Sequence, residues 1–224
     1  MERLKGKVVL MALIGALAAA PASATTITVA GGGVVVDSFD TTTVGSSADP
    51  WLLNETMTGA GLVALTSEEA GEHALGDNTT GSLHNFGKWL SKTIVNNSGI
   101  SWTSFELELR VVPEEPSLDG DGLSFAQGSG FEGTFTSDKF GTYTAIEDIR
   151  DYLNFHNGVV LPGESVTFMI AITDNTLREQ FFLLQTPNRR EVGNEVPEPA
   201  SMLLLGAGLL GASARKLRKN RAQK

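Results

Sequence analysis

The residues most suited to binding a metal ion lie in the segment Asp119-Gly120-Asp121-Gly122. Two carboxylates separated by glycine can converge on one hard cation, so Asp119 and Asp121 are the candidate calcium ligands. The fuller D-x-D-x-D-G pattern with its distal glutamate is absent from the sequence. A tight turn between two strands accounts for the same residues, because Asp-Gly pairs favour turns. No other cofactor is predicted.

The side chains needed for catalysis do not fall into a known pattern. The three histidines, His73, His84 and His156, occur in no zinc-binding spacing, and the chain has no cysteine. The run from Glu68 to His73 could hold a cation, but a solvated loop is the favoured interpretation. The sequence contains no G-x-S-x-G nucleophile motif. A glycosidase with two paired carboxylates stays open, since pairing in space is invisible in a sequence. We therefore expect a protein that is not an enzyme.

Charge is distributed unevenly along the 224 residues, which carry a net charge of −9. Nine of the 17 basic residues lie within the first seven and the last ten positions, so the middle of the chain is strongly acidic. An acidic body repels phosphate backbones, which argues against nucleic-acid binding. The absence of cysteine excludes a disulfide scaffold.

The first 24 residues have the organisation of a secretory signal peptide. A positive start is followed by an apolar run from Val8 to Ala20, which is too short to span a bilayer comfortably. Ala22, Ser23 and Ala24 give the small-x-small cleavage pattern, so the mature chain is expected to begin at Thr25. An uncleaved N-terminal anchor is the alternative.

The C-terminal end combines three features in a fixed order. Val196, Pro197, Glu198 and Pro199 form an extended hinge, because two prolines around one glutamate cannot continue a helix or a central strand. Residues 200–214 are apolar and would span about 22 Å as a helix, somewhat less than a hydrocarbon core of about 30 Å. The basic tail that follows contains Arg215, Lys216, Arg218, Lys219 and Arg221. Such a tail belongs on the cytoplasmic side, so a single short transmembrane helix is predicted.

This arrangement resembles the PEP-CTERM sorting signal, and the resemblance covers residues 196–221. It implies that the segment is recognised by an exosortase-type membrane protease in Gram-negative bacteria that make exopolysaccharide. It also implies that the span is a temporary stop in the inner membrane, removed as the protein passes to the cell surface or extracellular matrix. The chain would then be the substrate of the processing reaction, and a permanent membrane anchor is the alternative.

The body between these ends, residues 25–185, shows the pattern of short β-strands. Ser104–Val112 alternates apolar and polar residues, which predicts a half-buried strand, and Ser165–Thr173 repeats the pattern. Glu179–Gln185 is apolar on both faces, which is typical of a central strand. Ala145–Phe155 fits either a helix or a strand, and its surroundings favour a strand. We predict an all-β fold, an antiparallel β-sandwich of about eight to ten strands. Residues 186–195 form a linker rich in proline, glycine and asparagine.

The sequence thus predicts an exported surface or matrix protein, sorted through its C-terminal signal and associated with exopolysaccharide. Two other interpretations stay open. The chain could be a secreted hydrolase with the same tail, or an envelope protein whose tail is never cut. The sequence does not identify the ligand or partner of the body.

Overall fold

The computed structural model describes residues 25–68, 73–75, 87–118, 120–126, 134–146, 150–176 and 178–188. Within them the chain forms no helix, and hence none that is long and apolar enough to cross a membrane. The chain divides after Pro187 into two units, and only Asn188 of the second unit is described. The predicted signal peptide, membrane span and basic tail therefore lie outside the described residues.

The described residues form eleven strands joined in one hydrogen-bonded sheet. In chain order they are β1 Thr25–Asp40, β2 Trp51–Ser67, β3 Gly87–Asn96, β4 Phe105–Val112, β5 Glu115–Pro116, β6 Leu123–Ser124, β7 Thr136–Ser137, β8 Phe140–Ile146, β9 Tyr152–Gly158, β10 Ser165–Asp174 and β11 Gln180–Pro187. Their order across the sheet is β6-β10-β3-β2-β11-β4-β9-β8. In addition, β1 pairs with β2, β5 with β4, and β7 with β10.

The long strands follow the alternation of apolar residues in the sequence. In β10 the side chains of Val166, Phe168, Ile170 and Ile172 are buried, as the period of two predicts. The central position predicted for the segment that became β11 is confirmed, because that strand pairs with β2 on one side and β4 on the other. Phe181, Phe182 and Leu183 of this strand are buried, and Leu184 is half-buried.

The ribbon of β1 and β2 connects two parts of the sheet. The first half of β2, Trp51–Met57, pairs with β3, and its second half, from Gly61 to Thr66, pairs with β11. The sheet therefore divides along β2, while β1 accompanies β2 over nearly its whole length. Register shifts in β1 next to Gly31 and Gly32 introduce the bulges that bend the ribbon.

The curled sheet encloses one core of aromatic and aliphatic side chains. Phe168 of β10 packs against Phe155 of β9 and Phe105 of β4, with ring centroids 4.8 and 5.0 Å apart. These strands lie on opposite sides of β2 in the sheet order, so the contacts exist only because the sheet folds over itself. Trp102 is fully buried beside Phe105.

The predicted all-β fold is confirmed for the described residues, and the finer prediction of an antiparallel sandwich of eight to ten strands needs correction. The described strands number eleven and belong to one curled sheet. One pair, β2 with β3, is parallel. Residues 68–86 connect these two strands, and a connection of that length permits the crossover that parallel pairing requires. Alternation identifies which side chains face inward, but it does not identify a strand's partner.

The ambiguous segment Ala145–Phe155 belongs to two strands. β8 ends at Ile146 and β9 begins at Tyr152, with the two pairing antiparallel. The preference for strand over helix is confirmed in the described part of this segment. Local spacing was equivocal here, and pairing with β4 on the far side of β9 favours the extended form.

Candidate functional site

Three polar side chains from three strands meet inside the apolar core. They are Glu55 of β2, Lys92 of β3 and Gln185 of β11, which we call the buried triad. The amine of Lys92 donates a hydrogen bond to Oε2 of Glu55. The amide nitrogen of Gln185 donates to the other oxygen, Oε1, at 3.2 Å. One carboxylate therefore joins an amine on one side to a carboxamide on the other.

The strands position the triad because each of its members occupies an inward-facing place in an apolar row. Glu55 lies between Leu53 and Met57, which are both fully buried. Lys92 lies between Leu90 and Ile94 in the same way. The side chains of Lys92 and Glu55 have no solvent-exposed surface. The alternation of each strand thus carries the polar groups into the buried interior.

The electrostatics of the triad follow from this burial. Burial lowers the pKa of the Lys92 amine, and the attraction and hydrogen bond of Glu55 offset only part of that effect. The carbonyl oxygen Oε1 of Gln185 has no hydrogen-bond partner among the described residues. A buried acceptor of this kind is costly, and in natural proteins it calls for an explanation.

A second polar cluster covers the opposite face of β4. Glu106 and Glu108 are both buried, which corrects the prediction that this strand is half exposed. Arg150 donates to Oε1 of Glu106 at 2.9 Å and to Glu108. Arg110 donates to Oε1 of Glu108 at 2.8 Å, and the guanidinium of Arg150 lies 4.0 Å from the ring centroid of Tyr152. Arg110 and Arg150 thus cover the polar face of β4.

The pKa of Glu108 reflects a competition within this cluster. Burial raises it, but the hydrogen bond from Arg150 and the positive charges of Arg110 and Arg150 outweigh burial, so the pKa of Glu108 is lowered. The pKa of Arg150 is raised, because its two glutamate partners outweigh the burial that lowers it. Both directions favour the ionised forms of Glu108 and Arg150.

Of the two predicted calcium ligands, Asp119 and Asp121, the structure describes only one. Asp119 lies outside the described residues. Asp121 is described, and its carboxylate accepts hydrogen bonds from the hydroxyl of Ser117 at 3.0 Å and from the backbone nitrogen of Leu123 at 2.8 Å. These bonds close the turn that the sequence offered as the alternative. The described part of the chain contains no group of three or more side chains suited to hold a metal ion.

The acidic run before His73 also falls partly outside the described residues. Glu68 is exposed and residues 69–72 are not described, whereas His73 is buried. Nδ1 of His73 accepts a hydrogen bond from the backbone nitrogen of Leu75 at 3.0 Å, which leaves the proton of the neutral ring on Nε2. That atom lies 3.6 Å from Oδ2 of Asp174. The solvated loop expected here is therefore wrong for His73 itself.

A cleft of about 330 Å³ opens between β7 and β8. Thr136, Ser137 and Thr142 line it together with Phe140 and Tyr143. Hydroxyls beside an aromatic ring are a combination that suits a sugar, because the ring packs on C–H groups while the hydroxyls exchange hydrogen bonds. Most of the Phe140 ring is committed to the core, so Tyr143 contributes most of the accessible aromatic surface.

The residues predicted to direct export and sorting lie outside the described residues. They comprise the signal-cleavage residues, the sorting motif and the basic tail: Ala22, Ser23, Ala24, Val196, Pro197, Glu198, Pro199, Arg215, Lys216, Arg218, Lys219 and Arg221. The described unit ends at Pro187, a few residues before the first of the C-terminal set.

Comparison with known families identifies the C-terminal segment. Residues 195–219 match the PEP-CTERM protein-sorting motif, which confirms the resemblance found in the sequence. The match implies an exported protein that is sorted to the surface and processed by exosortase, a membrane protein. Neither the curated proteins nor the solved structures contain a match to this chain. The comparisons therefore describe the tail and leave the function of the β-sheet body to its own geometry.

Proposed function

We propose that this chain is a non-catalytic protein of the cell surface or extracellular matrix, released from the inner membrane when an exosortase-type protease cuts its tail. The observation that carries the proposal is the sorting motif at residues 195–219. The protease acts at or beside Pro197-Glu198-Pro199, and residues 200–214 hold the chain in the inner membrane until then. The basic residues from Arg215 keep the end of the chain on the cytoplasmic side.

The body supports a structural role, because the carboxylates of its two buried clusters are paired with basic side chains. Glu106 and Glu108 are neutralised by arginines, and Glu55 is shared between Lys92 and Gln185. Groups tied into such networks stabilise a fold and are poorly placed to reach a substrate. This arrangement favours a scaffold over the alternative of a secreted hydrolase.

We further propose that the body associates with exopolysaccharide. The cleft beside Tyr143 supports it, because hydroxyls and an aromatic ring line the same opening. The acidic surface favours neutral or cation-bridged polysaccharides over strongly anionic ones, which it would repel. The body would then be held in the matrix after the tail is removed.

The experiment that tests the proposal is the intact mass of the protein recovered from its native cell surface. Processing predicts a chain that begins at Thr25 and ends near Pro199, with or without attached glycan. A chain that extends to Lys224 would establish the alternative of a permanently anchored envelope protein. The association with exopolysaccharide is tested by incubating the same preparation with purified exopolysaccharide and sedimenting the polysaccharide. A Tyr143→Ala variant should co-sediment less than the wild-type protein.

A further inference from the structure

The buried triad has the composition of a reaction centre as well as that of an ion pair. It combines a nucleophile, the amine of Lys92, with an electrophile, the carboxamide of Gln185. Glu55 contacts both of them through its two oxygens and can carry a proton from one to the other. We propose that Lys92 and Gln185 become joined by an intramolecular amide bond, with Glu55 as the proton carrier.

The first step requires an uncharged amine. Burial lowers the pKa of Lys92, and the Glu55 carboxylate is in direct contact to accept the proton that the ammonium gives up. Transfer of that proton converts two buried charges into two neutral groups, which burial favours. The uncharged amine then carries a lone pair, and it shares the Glu55 carboxylate with the carboxamide of Gln185.

The bond-forming step balances without any co-reactant. Nζ of Lys92 attacks the side-chain carbonyl carbon Cδ of Gln185, and a new C–N bond forms. Glu55 returns the proton to Nε2 of Gln185, the old C–N bond breaks, and ammonia leaves. The attacking nitrogen also loses a second proton, which leaves with the ammonia. The products are therefore one amide and one ammonium ion, and Glu55 ends as the carboxylate that it was at the start.

Gln185, rather than Glu55, is the acyl donor because of how the hydrogen bonds are distributed. If Glu55 formed the amide, no carboxylate would remain in the triad to accept and return the proton. The hydrogen bond from Nε2 of Gln185 to Glu55 already marks the path along which the leaving group is protonated.

The position of the bond gives it a structural purpose. Lys92 lies in β3 and Gln185 in β11, which pair with different halves of β2. An amide between them would connect the two parts of the curled sheet covalently. In a chain without cysteine, such a bond supplies what a disulfide supplies elsewhere, and no oxidant is needed.

The test is a tryptic peptide map of the purified, denatured full-length chain. Trypsin does not cut after an acylated lysine, so Lys92 should remain inside the peptide of residues 89–110. That peptide should be joined to the peptide of residues 179–189, and the pair should weigh about 17 Da less than the sum of the two because ammonia has been lost. Fragmentation should place the link between Lys92 and Gln185.

Two results would overturn the proposal. Cutting after Lys92, with both peptides recovered separately, would show that the triad is an ion pair and nothing more. A link between Lys92 and the peptide that contains Glu55, with a loss of about 18 Da as water, would show that Glu55 is the acyl donor. Both results are read from the wild-type chain, so neither depends on a variant that folds.

Variants then assign the roles. Glu55→Gln keeps the size of the side chain but removes the proton carrier, and we expect the linked peptide to disappear. Ser91→Ala, in the same strand, is the matched control; it leaves the trypsin sites unchanged and should keep the link. A linked Glu55→Gln chain would refute the role of Glu55, whereas failure of this variant to fold would leave the wild-type peptide map as the deciding result.

Discussion

Gly32 of β1 lies against the carbonyl oxygen of Ala60 in β2, so closely that a Cβ added at Gly32 would be 2.3 Å from that oxygen. The φ angle of Gly32 is +79°, in the left-handed region that favours glycine. Both features belong to the bend at which the β1–β2 ribbon passes from one part of the sheet to the other. The neighbouring Gly31 has open space around its Cα.

We therefore predict that Gly32→Ala lowers the free energy of unfolding by about 2 kcal/mol or more, because both the clash and the φ angle oppose a side chain. Gly31→Ala is the matched control and should change stability by less than about 0.5 kcal/mol. Urea denaturation of the two variants measures the difference. Equal stabilities would show that the ribbon does not depend on this contact.

The arginine that closes the second polar cluster gives a stability prediction. Arg150→Met should lower the free energy of unfolding by about 3 kcal/mol, because it leaves Glu106 and Glu108 buried with less positive charge beside them. Arg150→Lys keeps the charge but loses the fork of donors, so it should lie between wild type and Arg150→Met. If both variants are as stable as the wild type, the network contributes nothing to stability.

Acidification gives a separate prediction at His73. Burial lowers the pKa of this histidine, Asp174 raises it, Arg178 lowers it, and the net direction is downward from 6.5. The unfolded chain therefore takes up a proton at this residue more readily than the folded chain. The contribution to stability is complete above about pH 6.5 and is lost as the pH falls through the lower, folded pKa.

Unfolding in urea at about pH 7.5 and about pH 5.5 tests this behaviour. The wild-type protein should lose stability between the two values. His73→Asn, which keeps an acceptor for the backbone nitrogen of Leu75 but does not titrate, should lose less. The same loss in both proteins would assign the pH dependence to other groups.

The sorting motif gives a prediction in living cells. Replacement of Pro197-Glu198-Pro199 by three alanines should leave the full-length chain in the membrane fraction, because the protease would no longer recognise its site. Replacement of Glu191-Val192-Gly193 by alanines is a control of equal length just before the matched segment. Normal release of the first variant would show that these three residues do not direct processing.

The sequence predicted the strand class and the inward faces well, because alternation of apolar residues is local. In β10 the buried side chains are those that the period of two indicated. The sequence could not show that β2 and β3 pair in parallel, nor that one strand serves both parts of the sheet. Those features depend on which distant strands meet, and nothing in the local pattern of Trp51–Met57 encodes its partner.

The buried triad was missed for a related reason, although a signal existed. Lys92 interrupts the apolar row Leu90–Ile94, and Glu55 interrupts the row between Leu53 and Met57. A single charged residue in an inward row is most simply interpreted as a strand edge or a break in the pattern. Two such interruptions, together with Gln185 after Leu183, could have indicated that the three residues compensate each other inside the core.

Strand β2 pairs both with β3, which follows it in the sequence, and with β11, which lies far along the chain. This has a consequence for the order of folding. The second half of β2 pairs with β11, the last strand of the described body, while the first half pairs with β3. A chain that emerges from a translocation channel N-terminus first cannot complete its sheet until β11 has followed. Most of its contacts join residues far apart in sequence, so completion is slow compared with local folding. The body would therefore stay in an unfinished, transport-competent state until residues 180–187 are outside, just before the sorting segment begins.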